Sequence, residues 1–543
     1  MSRHKLHAER KPTGTALEEA RSLFAAARLS EASHMLDEAF ARGQEISDDA
    51  VLLRGRLYLR TKPSEPSKAI AFLTRALPKL GSGVARAEGN LLLGAAHARA
   101  GDHHSAHSKL LLAIRELKAD DTPQASQLKA ELAYQSSAGL WMQRKFDDAE
   151  RALAPALVAR DSNSYVDALV LSGALYAARG RLENQASTLL EALRVVLSAQ
   201  TRDVYRWGYV VSQLALLSRE LPSPSVRSAA LEQIARVPWT DDLSEPRYVA
   251  LRGVGWRCAL EGDYFNAFRY LKQAGTGAPT LPWRVLACCD RAYLATSLGE
   301  ARWGEQELRE AAELADEVEW RAIGGEERFA LVLLAELHAP VDGALALSYL
   351  ARFQETGDRY DAVLSSNADR RVEGMLAYSL GYVRQHLGDM EEAEASYRKA
   401  FAIYDKIGYD WRAARAAMGL FEVNRDTSWL DVAAKKLKPY PLSWLATRLK
   451  SLAPLDLWSF RTAEMALERR ATGELTPSQS EIYELLLTGA STRDIAKKLE
   501  RSEFTVRNHI KAIFKKLRVN SRSALLSAAF RGLPAPGPTV QGR

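Results

Sequence analysis

The sequence predicts an all-α protein, a long helical solenoid followed by a small C-terminal helical domain. Three observations carry that reading. From about residue 16 to 425 one amphipathic helical pattern follows another, with no alternating strand pattern rich in valine and isoleucine. A short turn phrase recurs along the same stretch. Residues 501–531 hold eight Lys or Arg against one acid, Glu503, a net of +7 that equals the formal charge of all 543 residues, so the other 512 sum to zero. A neutral body ending in one basic segment is the electrostatic outline of a small nucleic-acid reader on a large carrier.

A single compact core does not accommodate 543 residues, whereas a repeat array grows in one dimension. The opening MSRHKLHAERKPTG is charged, and no apolar run approaches the ~18 residues needed to cross a bilayer. A cytoplasmic, nucleoid-associated protein without membrane contact is expected, with residues 1–15 as a flexible N-terminus. Cys258, Cys288 and Cys289 can form neither a disulfide framework nor a C-x-x-C knuckle, so they are expected in the core.

The body spans residues 16–430. Its recurring phrase is a turn holding Gly, a small or a basic residue, often followed by Asp, and then, five positions on, a residue, usually Ala, that starts a second apolar helix. It reads AGDHHSA (ending at Ala106), RKFDDA (Ala149), GDYFNA (Ala267) and GDMEEA (Ala393), with looser copies at Ala32 and Ala69. Weaker copies are expected near Gln185, Gly304 and Gly343, and a degenerate one near 226. Ala32 to Ala393 covers nine intervals of about 40 residues, a period of helical solenoids.

The strongest copy, SLGYVRQHLGDMEEAEASYRKAFAIYDKIGY at 379–409, resembles a tetratricopeptide repeat. The resemblance implies that Gly381 lets paired helices approach, that Gly388 and Asp389 make the turn, and that Ala393 and Ala400 pack the second helix. A period longer than the standard ~34 predicts longer helices or loops and leaves HEAT-like pairing open. Such a solenoid is expected to hold a protein or small-molecule partner, unidentified from sequence.

A linker is expected at 431–473, with KKLKPYPLSW (435–444) as a turn or docked segment and a helix over 455–470. Residues 474–533 form the reader and 534–543, rich in Pro and Gly, a disordered tail. In the reader, Thr476 is a predicted N-cap with Pro477 at the first helical position, and Gly489 ends that helix. Ser491 caps a second helix, and Ser502 caps a third that runs from about Glu503 to Leu517. The second and third helices, joined by the Glu500–Arg501 turn, make a helix-turn-helix. On the third, Val506, Ile510, Ile513 and Leu517 line one stripe, while Arg507, Lys511, Lys515 and Arg518 form another that must face outward.

The run LTPSQSEIYELLLTGASTRDIAKKLERSEFTVRNHIKAIFKKLRVNSRSAL resembles the LuxR (GerE) type of DNA-binding domain. The match rests on L-T-P, Gly489, S-x-x-x-I-A, the T-V-x-x-H of Thr505, Val506 and His509, Lys516–Leu517, and Ser521–Arg522. The resemblance implies a four-helix regulator of transcription, expected to be an activator, that binds double-stranded DNA, recruits RNA polymerase and dimerises through Ala524, Ser527 and Ala528. By position, Arg507, Asn508 and Lys511 are expected at base edges, where Arg and Lys suit guanine and Asn suits adenine. Ser502, Thr505, Lys515, Lys516 and Arg522 are expected at phosphates. Three residues depart from the pattern: Gln479 for Glu, expected to weaken an internal contact; Glu500 and Arg501 in a turn where Gly and an apolar residue are usual; and Arg518 for Gly.

No Gly-Lys dipeptide occurs, so the phosphate-binding G-x-x-x-x-G-K-[ST] loop is absent. His103 and His107 stand one helical turn apart with His97 and His104 near, but they sit in the repeat's turn phrase without a completing ligand set, and no metal or other cofactor is expected. No catalytic constellation has supporting context, so an enzyme is not expected. Two rival readings are an interaction scaffold whose helix-turn-helix binds protein, and a sigma-factor-like subunit of RNA polymerase, which needs a second promoter-reading module.

Overall fold

The computed structural model describes residues 13–42, 47–61, 65–81, 83–143, 145–161, 164–199, 203–323, 326–361, 370–452, 476–487 and 492–516. All secondary structure among them is helical, and no described helix is long and apolar enough to cross a membrane. The chain divides into two compact units, Met1–Leu449 and Lys450–Arg543.

The first unit is a solenoid of antiparallel helix pairs. The turn phrase has a physical basis at its Gly-Asp copies. Where the first helix ends, a glycine adopts the left-handed conformation, as at Gly101 (φ +81°), Gly262 (φ +78°) and Gly388 (φ +88°). The next amide then reaches back five residues: Asp102 N–H donates to the His97 carbonyl, and Asp263 N–H to that of Cys258, each at 2.9 Å. That aspartate also caps the second helix, Asp102 accepting from Ser105 N–H at 3.0 Å and Asp263 from Asn266 N–H at 3.2 Å. At those two copies one Gly-Asp pair closes one helix and opens the next, whereas Asp389 makes no side-chain cap.

The small residue of the phrase is the fourth of the second helix. Ala32, Ala69, Ala149, Ala267 and Ala393 are fully buried there, and Ala106 nearly so. The weak copies obey the same register at Gln185 and Gly304. Near 343 the register differs from the expected one, because Gly343 begins the helix and Ala346 is its buried fourth residue. The first helix of each pair supplies the matching gap: a Cβ on Gly381 would lie 2.9 Å from the Tyr397 ring, so the glycine sets the helix separation.

Three expectations are corrected. The first helix starts at Thr13, inside the segment expected to be a flexible N-terminus. The solenoid extends beyond 430: helices Ser428–Leu437 and Trp444–Leu452 follow, and Tyr440, Trp444 and Leu445 are buried in the same unit. Trp444 packs on Trp256 at 5.6 Å between ring centroids, so an apolar surface outweighs the turn-forming prolines that suggested a linker. Finally, the array does not contact neighbouring repeats alone. Ser30 binds Asp242 through its N–H and hydroxyl, Thr240 donates to the Ala27 carbonyl at 2.8 Å, and Tyr264 donates to that of Leu442 at 2.9 Å. The solenoid curls so that each pass of the chain touches the next.

Cys258, Cys288 and Cys289 are buried core residues, and burial pushes the Cys258 thiol up to about 12. His97 braces its repeat turn, with Nδ1 3.2 Å from Asp102 Oδ2. The expected helix over 455–470 and the tail over 534–543 lie outside the described residues.

Candidate nucleic-acid interface

Three described helices build the second unit: Pro477–Leu487, Thr492–Lys498 and Glu503–Lys516. Thr476 caps the first, accepting from Gln479 N–H at 3.4 Å, while Gln479 Oε1 accepts from Thr476 N–H at 3.1 Å. This reciprocal capping box is completed by Lys516 Nζ, which donates to Gln479 Oε1 at 2.9 Å. The glutamine thus makes the internal contact it was expected to weaken, and it ties the start of the first helix to the end of the third. Ile482, Tyr483, Leu486, Ile495, Ala496, Val506 and Ile513 form the core, with Ile510 partly buried against it.

The turn between the second and third helices carries strain. Glu500 has φ +52°, left-handed and without glycine's freedom, and Arg501 N–H donates back to the Ala496 carbonyl at 2.9 Å. Arg501 also reaches Ser478 Oγ at 3.3 Å, fixing the turn to the first helix. Ser502 then caps the third helix, accepting from Thr505 N–H at 3.1 Å, and its hydroxyl lies 2.8 Å from that of Thr505.

With Val506 and Ile513 wholly buried, the opposite side of the third helix is fixed by its ~100° per residue. Arg507, Asn508, Lys511 and Lys515 are all exposed there. Arg507 lies 3.6 Å from Glu503 Oε2, a solvated pair one turn apart. Of the residues assigned to phosphates, Ser502, Lys515 and Lys516 are exposed and Thr505 is partly so. Lys516 is already engaged by the protein through Gln479, as Ser502 and Thr505 are through each other. His509 is half-buried. Gly489, Ser491, Leu517, Arg518, Arg522, Ala524, Ser527 and Ala528, with the expected fourth helix, lie outside the described residues.

One residue on this face escaped the sequence reading. Phe504 is 75% exposed, and its place four residues before Asn508 and seven before Lys511 sets it at the head of the cationic stripe. The signal was present: Phe504 precedes Val506 by two, a spacing that takes it off the buried side of a helix.

The chain is similar to known proteins in part of its sequence. Over 49 residues, 9% of this chain, it is 47% identical to the spore germination protein GerE of Bacillus subtilis (strain 168); the alignment spans 66% of that protein, just under two thirds of its length. A solved structure similar to this chain is the crystal structure of the APC/C hetero-tetramer Cut9-Hcn1, at 15% identity and a TM-score of 0.38, covering 96% of this chain and 91% of that one. Residues 473–529 match the family described as GerE, bacterial regulatory proteins of the luxR family, and this segment is a LuxR-type helix-turn-helix domain.

Proposed function

We propose that the protein is a DNA-binding transcription activator whose solenoid senses a partner or ligand. The observation that carries the reading is the two-sided helix Glu503–Lys516, wholly buried at Val506 and Ile513 and presenting Arg507, Asn508, Lys511 and Lys515 on its exposed side. A helix of this kind docks in the major groove, with residues near its N-terminal end at the base edges. Arg507 and Lys511 then donate to guanine, Asn508 pairs with adenine, and Phe504 meets a thymine methyl. Ser502, Thr505, Lys515, Lys516 and Arg522 hold phosphates.

Dimerisation through Ala524, Ser527 and Ala528 would double the contact and impose a two-fold operator. Bound at a promoter, the protein would engage RNA polymerase, which makes it cytoplasmic and nucleoid-associated. A duplex-binding titration against salt tests the central point: three cationic phosphate contacts per subunit, Lys515, Lys516 and Arg522, predict a slope of log K on log salt of about −3 for one subunit and about −5 for a dimer. A flat salt dependence would remove DNA from the reading and favour a protein-binding scaffold.

A further inference from the structure

The inner side of the curled solenoid encloses a cavity of about 320 Å³, lined from Trp141 to Arg415 and so by both passes of the chain. That volume lies at the small end of ligand-binding sites. Six arginines line it, Arg219, Arg252, Arg328, Arg371, Arg412 and Arg415, against four carboxylates, Glu220, Asp290, Glu326 and Glu336.

Three of those carboxylates are already engaged. Asp290 takes Arg252 through two guanidinium nitrogens, at 2.5 and 2.9 Å, and Trp256 Nε1 at 2.9 Å. Glu336 takes Arg415 Nη2 at 2.7 Å and the Ser379 hydroxyl at 2.6 Å. Glu220 is shared by two arginines, Arg412 from Nε and Nη2 and Arg219 from Nε, so two cations bond to one carboxylate there, within a lining of six arginines against four acids. Burial lowers the Arg219 pKa below the ordinary arginine value despite Glu220 and Glu326, with Arg412 and Arg252 adding repulsion. A surplus cation in a desolvated wall favours an anionic occupant.

Arg415 Nε and Trp141 Nε1 are buried without a hydrogen-bond partner among the described residues. Beside Arg415 the wall is aromatic. The Arg415 guanidinium lies 4.1 Å from the Tyr378 ring centroid and 5.1 Å from that of Tyr293. Guanidinium forks match a carboxylate, and ring faces match a planar apolar body.

We propose that this cavity binds a small aromatic carboxylate, its charge balancing the Arg219 and Arg412 pair and its ring seated among Trp141, Tyr293 and Tyr378. The proposal gives a chemical class to the sensed ligand and rests on the sensor reading for its regulatory consequence, though not for the binding itself.

The test titrates the full chain with benzoate and 2-naphthoate by thermal shift and tryptophan fluorescence, with benzamide lacking the charge and acetate lacking the ring. Both aromatic acids are expected to raise the melting temperature in a saturable way while benzamide and acetate do not. Arg219→Gln, which leaves Arg412 and Trp411 on Glu220, is expected to weaken the acids about ten-fold, the loss of one charge-assisted contact. Trp141→Leu supplies a second, uncharged perturbation and is expected to weaken 2-naphthoate more than benzoate. No response to either acid, an equal response to benzamide or acetate, or unchanged saturation in both variants overturns the proposal. Duplex binding by the ligand-free chain is measured alongside; its absence would sink the regulator reading and leave the ligand result standing.

Discussion

Trp411 donates its indole proton to Glu220 Oε2 at 2.9 Å across 191 residues of chain. Arg412 and Arg219 hold the same carboxylate. Burial alone would raise the Glu220 carboxyl, but the two guanidiniums outweigh it and hold the group at about 2, against an ordinary 4.5. A carboxyl depressed on folding stabilises the fold above its unfolded pKa, and that stability fades as pH falls through the folded one. The solenoid should therefore lose on the order of 3 kcal/mol between about pH 5 and 2 from this group, at about 1.4 kcal/mol per unit. Glu220→Gln should remove this part of the acid sensitivity and cost about 3–5 kcal/mol at pH 7 by stranding two buried cations. Urea midpoints at pH 7 and pH 3 check both; a variant as acid-sensitive as the parent would refute the assignment.

In the reader, Arg507→Ala should cost about 1–3 kcal/mol on a cognate duplex and relax preference at one base position. Lys515→Ala should weaken every sequence alike and flatten the salt dependence by about one counterion. Anisotropy titrations on cognate and random duplexes separate the two, and equal losses on both for Arg507→Ala would end its base-reading role.

Phe504 has a chemically clean test, because uracil is thymine without the methyl. Scanning thymine-to-uracil replacement through the bound site should find one position that weakens the parent by ~1 kcal/mol and leaves Phe504→Ala indifferent. If every position affects both proteins equally, Phe504 does not read a base.

Glu500 occupies a left-handed position where an L side chain costs about 1–2 kcal/mol. Glu500→Gly should recover on the order of 1 kcal/mol, read as slower amide exchange over residues 492–516 in the full chain. Unchanged or faster exchange would mean that the Arg501 contacts already offset the strain.

Tyr397 is held between two glycines, and a Cβ at Gly419 would lie 2.6 Å from its Cζ. The ring is wholly buried and its hydroxyl is tied to Gln385 Oε1 at 2.7 Å, so it has no easy way to move. Gly419→Ala should destabilise the solenoid by about 1–3 kcal/mol in urea unfolding.

The repeat turns were legible because a Gly-Asp pair does two local jobs, closing one helix and capping the next, and local hydrogen bonds leave a local signature. The two faces of Glu503–Lys516 were legible for the same reason, since 3.6 periodicity sorts Val506 and Ile513 from Lys511 and Lys515. What the sequence hid was long-range. Nothing near Glu220 announces Trp411, nothing in the two prolines of KKLKPYPLSW announces that Tyr440 and Trp444 are buried, and the curl that brings Ala27 to Thr240 accumulates from small rotations no single repeat encodes. The arginine-lined cavity exists only because of that curl. Phe504 is hidden for another reason, since an aromatic residue on a helix ordinarily signals the buried side and here stands among exposed charges.

The curl also bears on how the chain is made. Synthesis runs from the N-terminus at ~5–20 residues per second, so Glu220 emerges ~10–40 seconds before Trp411 and Arg412 exist to satisfy it. In that interval the earlier repeats can pair with their neighbours, yet the wall that will face the second pass stays open to water and to other nascent chains. A ribosome that stalls or terminates within residues 221–411 would release a half-solenoid with a buried-type carboxylate and an apolar inner wall uncovered, a species suited to chaperone capture and prone to aggregation.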